Sequence, residues 1–166
     1  MKTSFSRISQ YMPLLTIIAL AVLGALALAV NDGNELSFSR AMHAFMGLFL
    51  LQFSALKLFN VSGFAKGFAK YDLLAMRFRP YGFVYPFLEL TLALGYLAGG
   101  GVWVYLATFI LMSFGGVGVI TALAKGLNIN CACLGTSLKV PLSTVAVTEN
   151  VSMAVMSVFM YYNAMT

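Results

Sequence analysis

Two cysteines separated by one residue, Cys131 and Cys133, are the only thiols in this chain of 166 residues. A Cys-X-Cys disulfide would close a small ring whose Cα separation must fall within about 4.4 to 6.8 Å, a tight fit. Strain of this kind raises the reduction potential and is typical of a labile, catalytic or regulatory disulfide. A cross-link over so short a loop would also stabilise the fold very little. Thiol–disulfide exchange is therefore the first candidate chemistry.

Soft-metal binding is the second candidate for the same pair. Two thiolates suit Cu(I), and Met153 and Met156 lie one helical turn apart later in the chain. No second cysteine pair or nearby histidine completes a tetrahedral zinc site, because the only histidine, His43, is expected at the opposite membrane face. Chemically inert cysteines are the third option, and the spacing leaves all three open.

Ionisable side chains inside apolar segments form a second group of candidates, because such residues are costly in a membrane and mark functional positions. Glu89 lies about seven residues into one apolar run, and Glu149, followed by Asn150, lies about as deep in another. Lys57 lies near the end of a third run. We expect these four side chains in one leaflet, where Lys57 pairs with Glu89 or Glu149 as a structural ion pair. The alternative is that the unpaired carboxylate takes or gives a proton near the cysteines.

Membrane helices must position these residues. Hydrophobic residues make up 61% of the chain and charged residues 9%, whereas about a quarter of the residues in a soluble domain are charged. Five apolar runs, at 13–30, 41–59, 82–98, 102–124 and 142–162, are long enough to cross a bilayer. They must be helical, because hydrocarbon offers no partner for the backbone of an open strand. The sequence therefore predicts an all-α integral membrane protein with five spans.

The basic residues indicate the orientation of these spans. They flank the apolar runs instead of forming a patch on a folded surface, so no nucleic-acid partner is expected. With the N-terminus in the cytoplasm, nine of the ten basic residues lie on the cytoplasmic side, and the cysteine loop lies there too. Segments 31–40 and 99–101 are then external. The first run has features of an export signal but is long for one, so we predict an uncleaved anchor.

Segment 60–80 contains a tandem Gly-Phe-Ala-Lys repeat. Phe64, Phe68 and Tyr71 recur at helical spacing, and the lysines of the repeat lie on another side. This pattern predicts a short amphipathic helix at the interface, with its lysines facing anionic lipid. The alternative is a basic loop that only fixes topology. Pro80 is expected to end the segment, because the residue before a proline is pushed out of helical geometry.

Several motifs occur in a characteristic order: Lys57-Leu58, GFAKGFAKYDLL from Gly63, YPFLEL from Tyr85, CACLG from Cys131, Pro141-Leu142-Ser143 and Glu149-Asn150. With them, the chain from Ala41 onwards resembles the DoxX-like membrane proteins and, within them, the family of the methylamine utilisation protein MauE. Two features depart from that pattern. Ala132 and Leu134 stand where the family usually has Gly and Phe, and an additional apolar segment precedes Ala41.

The resemblance implies a four-helix bundle over residues 41–166, with residues 1–40 as an additional anchor helix and external loop. It also implies thiol–disulfide handling, since MauE is linked to maturation of the disulfide-rich small subunit of methylamine dehydrogenase. Carried over by position, Cys131 and Cys133 are the redox pair, and Glu89 and Glu149 match polar family positions.

A location in the bacterial inner membrane follows from the same resemblance. The expected partners are membrane lipid and a thioredoxin-like or glutaredoxin-like protein, with a quinone as the candidate cofactor. The protein would then be a thiol–disulfide oxidoreductase or an accessory factor. Two alternatives stay open: a Cu(I)-type metal-binding or transport protein that uses Cys131, Cys133, Met153 and Met156, and a non-catalytic membrane scaffold.

Overall fold

A computed structural model of the protein describes residues 2–30, 37–125 and 142–166. These residues form seven helices and no strand. In chain order the helices are α1 (Lys2–Val30), α2 (Phe38–Leu58), α3 (Val61–Phe68), α4 (Leu73–Arg77), α5 (Arg79–Leu97), α6 (Val102–Ala124) and α7 (Leu142–Met165).

Three helical segments in the described part of the chain are long and apolar enough to cross a membrane: Met12–Val30 of α1, the whole of α2 and the whole of α6. The 19-residue α5 and the 24-residue α7 have the length of a span, but buried polar residues such as Glu89 and Glu149 lower their hydropathy. The prediction of an all-α, multi-pass membrane protein is confirmed. The arrangement of four core spans plus one N-terminal span stays a prediction.

Helix α2 is the centre of the bundle, because it contacts α1, α3, α5 and α7. Its contact with α1 is close. Ala21, Ala25 and Ala29 recur every four residues on α1 and are almost fully buried, and a Cβ atom added at Gly24 would lie 2.6 Å from Leu48 Cδ1. Small residues of this kind let two membrane helices approach each other.

Two short helices, α3 and α4, lie between α2 and α5 where one amphipathic helix is predicted. Asn60 and Asp72 begin them, since the Asn60 side chain accepts from Gly63 N and that of Asp72 from the backbone of the first turn of α4. Phe64 and Phe68 of α3 are buried, as is Tyr71, which lies between the two helices. The interfacial location of this segment stays a prediction.

Pro80 has a different role from the one predicted. Helix α5 begins at Arg79, so Pro80 lies in its first turn. Backbone N–H groups in the first turn of a helix have no partner within the helix, so a proline there costs no hydrogen bond. The proline therefore begins the next helix instead of only ending the preceding segment. As a result, Glu89 lies ten residues, or about 15 Å, from the first residue of α5.

Candidate functional site

One lysine and two glutamates from three helices meet in the interior of the bundle. The Lys57 ammonium on α2 lies 2.5 Å and 2.6 Å from the two carboxylate oxygens of Glu89 on α5. It also lies 2.7 Å from Oε1 of Glu149 on α7. The side chains of Lys57 and Glu149 are each 1% exposed and that of Glu89 is fully buried. One ammonium therefore binds two carboxylates, and we call these three residues the Lys57 triad.

Helical periodicity explains how charged side chains reach the interior. Each member of the triad continues the series of buried residues on its own helix, at spacings of three or four. The series are Phe49, Leu50, Phe53, Ser54 and Lys57 on α2; Gly82, Tyr85, Pro86, Glu89 and Ala93 on α5; and Val145, Ala146, Glu149, Asn150 and Met153 on α7.

Aromatic rings surround the ammonium. The Lys57 nitrogen lies 5.3 Å from the centre of the Tyr85 ring, 5.6 Å from that of Phe53 and 5.7 Å from that of Phe64. These distances are within the range of cation–π attraction, which strengthens when the cation is desolvated. Phe64 belongs to α3, so this short helix covers the triad from one side.

The charges of the triad do not cancel when both glutamates are ionised. One ammonium then faces two carboxylates, which leaves one negative charge among the described side chains of the site. Among the described residues, Oε2 of Glu149 and Oδ1 of Asn150 are buried without a hydrogen-bond partner. An uncompensated charge is costly in a low-dielectric interior. The site is therefore suited to hold one proton in addition to the lysine cation.

Helix α6 approaches this region at Gly115. A Cβ atom added there would lie 2.5 Å from Asn150 Oδ1 and 3.3 Å from the Tyr85 hydroxyl oxygen. The amide nitrogen of Asn150 donates to the backbone carbonyl of Ala146, at 2.8 Å. The absence of a side chain at Gly115 thus lets the α6 backbone pack directly on Asn150.

The structure brings together three of the residues singled out in the sequence: Lys57, Glu89 and Glu149. The sequence argument paired the lysine with one glutamate, and the structure places it on both. Asn150 lies beside the triad, but its amide nitrogen bonds within α7. His43 lies elsewhere, with its ring centre 5.1 Å from that of Tyr96 and 5.6 Å from that of Tyr105.

The cysteine pair lies outside the described residues, so the predictions for Cys131 and Cys133 remain predictions. Of the methionines of the metal alternative, Met153 is fully buried on α7 and Met156 packs partly buried against the core. Within the described part of the chain, no group of three or more His, Cys, Asp and Glu side chains could hold a metal ion.

Four further residues shape the site and were not among the predicted site residues: Phe53, Phe64, Tyr85 and Gly115. A signal for Phe53 and Tyr85 is present in the sequence. Phe53 precedes Lys57 by four residues and Tyr85 precedes Glu89 by four, which places each ring on the same helix face as the charge. The role of Gly115 depends on which helix packs against α6, and no local pattern specifies that.

Comparison with known proteins identifies one family. The family model described as methylamine utilisation protein MauE matches residues 35–163. The match covers more than half of the chain and contains the Lys57 triad and both cysteines, and it confirms the resemblance inferred from the motifs. No curated protein and no solved structure matches the chain.

Proposed function

Because the chain belongs to the MauE family of membrane proteins, we propose that it is a membrane thiol–disulfide redox protein. It assists the maturation or the electron supply of a partner redox protein, and methylamine utilisation is the setting that the family description suggests. Cys131 and Cys133 form its redox pair. The partner that exchanges with this pair is a thioredoxin-like or glutaredoxin-like protein.

The single observation that supports this proposal best is the Lys57 triad, with two buried carboxylates on one ammonium. Oxidation of a dithiol to a disulfide releases two protons along with two electrons, so a redox protein in a membrane needs groups that accept and return protons. A site with one excess carboxylate provides such a group. In this proposal Glu149, whose Oε2 has no hydrogen-bond partner among the described residues, or Glu89 holds the proton.

The exchange step follows ordinary thiol–disulfide chemistry. The thiolate of one cysteine attacks a sulfur of the partner's disulfide, which forms a mixed disulfide and releases one partner thiolate. The second cysteine, as thiolate, then attacks the mixed disulfide. The products are a Cys131–Cys133 disulfide and a reduced partner, and two electrons have passed from this protein to the partner. The protons lost by the two cysteines match those gained by the two partner thiols.

The same proposal includes five spans: α1 as an N-terminal anchor within residues 1–40, and α2, α5, α6 and α7 as the bundle of residues 41–166. The lengths of these helices, from 19 to 29 residues, are sufficient for a bilayer. With the N-terminus in the cytoplasm of a bacterial cell, the positive-inside bias places the redox pair on the cytoplasmic face of the inner membrane.

Trapping of the partner tests the redox role. Full-length protein carrying Cys131→Ser or Cys133→Ser is expressed in membranes, and adducts are sought on non-reducing gels. One single variant is expected to accumulate a mixed disulfide that dithiothreitol releases, because the resolving thiol is missing. The double variant is the control and is expected to trap nothing. Full biological function of the double variant would overturn the proposal, and stoichiometric Cu(I) binding lost in that variant would favour the metal alternative.

A second experiment tests the proton role of the triad. We expect Glu149→Gln to slow reoxidation of the cysteine pair by about 100-fold or more, since general acid–base groups contribute about that much. The reduction potential of the pair is expected to stay unchanged, because the carboxylate is not part of the sulfur couple. Ser152→Ala, one helical turn away on α7, is the control. A rate equal to that of the wild type would exclude Glu149 as the proton-holding group.

A further inference from the structure

A cavity of about 250 Å³ opens where α3 packs against the beginning of α5. It is distinct from the Lys57 triad. Five residues line it: Ala65, Lys66, Ala69, Arg79 and Phe83. Its volume is several times the roughly 30 Å³ that one water molecule occupies in the liquid, so it admits a phosphate group with the carbon atoms attached to it.

The charges at this cavity favour an anion. Lys66 on α3 and Arg79 at the first position of α5 bring two cations to it, and no acidic side chain lines it. In the part of the chain that the structure describes, neither cation forms an ion pair. Arginine binds a phosphate through two parallel N–H groups and lysine binds it as a point charge. The two side chains are thus suited to bind the oxygen atoms of one phosphate group.

The surface beside the cavity favours a ligand with apolar chains. Phe83 lines the cavity, and Phe87 follows it one helical turn further along α5. Their side chains are 45% and 52% exposed, on the face of α5 that points away from the bundle. In a membrane, that face contacts acyl chains. A free phosphate would use only the cations, whereas a lipid uses the cations and this face.

We propose that this cavity binds the phosphate group of an anionic phospholipid from the adjacent leaflet, with its acyl chains along Phe83 and Phe87. Lys66 and Arg79 hold the phosphate, and the small side chains of Ala65 and Ala69 leave the room that it occupies. The same helix, α3, carries Phe64 over the Lys57 ammonium. A lipid bound between α3 and α5 therefore stabilises the cover of the triad, independently of any chemistry at the cysteines.

Lipid titration tests the proposal. Full-length protein, delipidated in an uncharged detergent, is titrated separately with phosphatidylglycerol, phosphatidylcholine and inorganic phosphate, and binding is followed by native mass spectrometry. Phosphatidylglycerol is expected to bind more tightly than either of the others. Lys66→Gln and Arg79→Gln are each expected to weaken it about fivefold, the effect of about 1 kcal/mol per cation.

The tandem repeat provides a matched control. Lys70 occupies in the second repeat the place of Lys66 in the first, but it does not line the cavity, so Lys70→Gln is expected to bind like the wild type. Ala69→Leu keeps every charge and fills the cavity, and it is expected to weaken phosphatidylglycerol binding as strongly as loss of a cation.

Three results would overturn the proposal. Equal weakening by Lys66→Gln and Lys70→Gln would indicate general attraction to a basic surface. Unchanged binding in Ala69→Leu would exclude the cavity as the location. Tight binding of inorganic phosphate that depends on Lys66 and Arg79, with no preference for phosphatidylglycerol over phosphatidylcholine, would assign the cavity to a soluble anion.

Discussion

Lys57 is the cation that the two buried carboxylates of the bundle share. It neutralises part of the charge of Glu89 and Glu149, and it holds α2, α5 and α7 in one register through three short contacts. Replacing a buried ion pair as a whole costs little, but removing one member leaves an uncompensated charge and is strongly destabilising. The three residues should therefore differ sharply in their tolerance of substitution.

Substitution of the lysine is the first prediction. Lys57→Met should lower the free energy of unfolding by about 3 to 5 kcal/mol, because two carboxylates then lack their cation. Glu149→Gln should cost much less, since Lys57 and Glu89 remain as a balanced pair. Thermal unfolding of both variants in the same detergent, followed by circular dichroism, measures the difference. Equal losses for the two would show that charge balance does not control stability here.

Helix packing determines whether these residues meet at all. Helices α6 and α7 pack against each other at Gly115, where the structure has no room for a side chain beside Asn150. The next residue, Gly116, is also buried, but a Cβ atom there would lie 3.6 Å from Asn150 Cβ, an ordinary contact distance. Two adjacent glycines thus have different roles.

This pair gives the second prediction. Gly115→Ala should destabilise the protein by about 1 to 3 kcal/mol, because the new methyl group overlaps the Asn150 carboxamide and overpacking costs that much. Gly116→Ala should be neutral or slightly stabilising, since alanine favours a helix over glycine. The midpoints of thermal unfolding of the two variants provide the comparison. A loss at Gly116 as large as that at Gly115 would contradict the assigned packing.

The junction between α3 and α4 depends on Asp72, which lies outside the long helices. Its carboxylate accepts hydrogen bonds from Leu74 N at 3.0 Å and Ala75 N at 2.8 Å. Burial raises the pKa of Asp72 above its ordinary value of 3.8, although these two hydrogen bonds oppose the shift. The folded protein therefore binds this proton more tightly than the unfolded chain does.

A pH dependence is the third prediction. Because the pKa is raised on folding, the stability contributed by Asp72 is fully present below pH 3.8 and decreases as the pH rises through the folded value. Asp72→Asn keeps the helix cap but cannot ionise. The unfolding midpoint of the wild type relative to this variant should therefore fall as the pH rises from below 3.8. A relative gain over the same range would mean that the ionised cap outweighs burial.

The whole molecule combines an apolar exterior with a charged interior. Side chains such as Leu23, Phe87, Ile110 and Val155 are extensively exposed, as expected for surfaces in contact with lipid, while the Lys57 triad is buried. The basic residues of segment 60–80 and Lys125 at the end of α6 would lie at one membrane face. The turn between α5 and α6 would lie at the other.

Sidedness is the fourth prediction. In a Cys131→Ser/Cys133→Ser background, Gly101→Cys should react with an impermeant maleimide in intact cells, because the turn is external in the proposed topology. A Cβ atom at Gly101 meets nothing within 4 Å, so the substitution is mild. Lys70→Cys should react only after the cells are permeabilised. The reverse labelling pattern would invert the topology and place the cysteine loop outside the cell.

Much of this protein follows from its sequence. Apolar runs of span length require helices, because a backbone in hydrocarbon must satisfy its own hydrogen bonds, and the rarity of charges inside these runs marks Lys57, Glu89 and Glu149. The structure buries the rings of Phe64, Phe68 and Tyr71, which share a helical spacing in the sequence, while the interfacial location of segment 60–80 stays a prediction. The order of the motifs identifies the family.

Tertiary structure alone decides how these features combine. The spacing of residues along the chain shows which side chains share a face of a helix. It does not show which other helix packs against that face, or at which residues the two helices cross. Whether Lys57 meets one glutamate or two therefore depends on the packing of α2 against both α5 and α7. The roles of Gly115 and Gly116 likewise differ only through Asn150 on another helix. Both features are contacts between residues far apart in the chain, and the local periodicity of the sequence does not specify them.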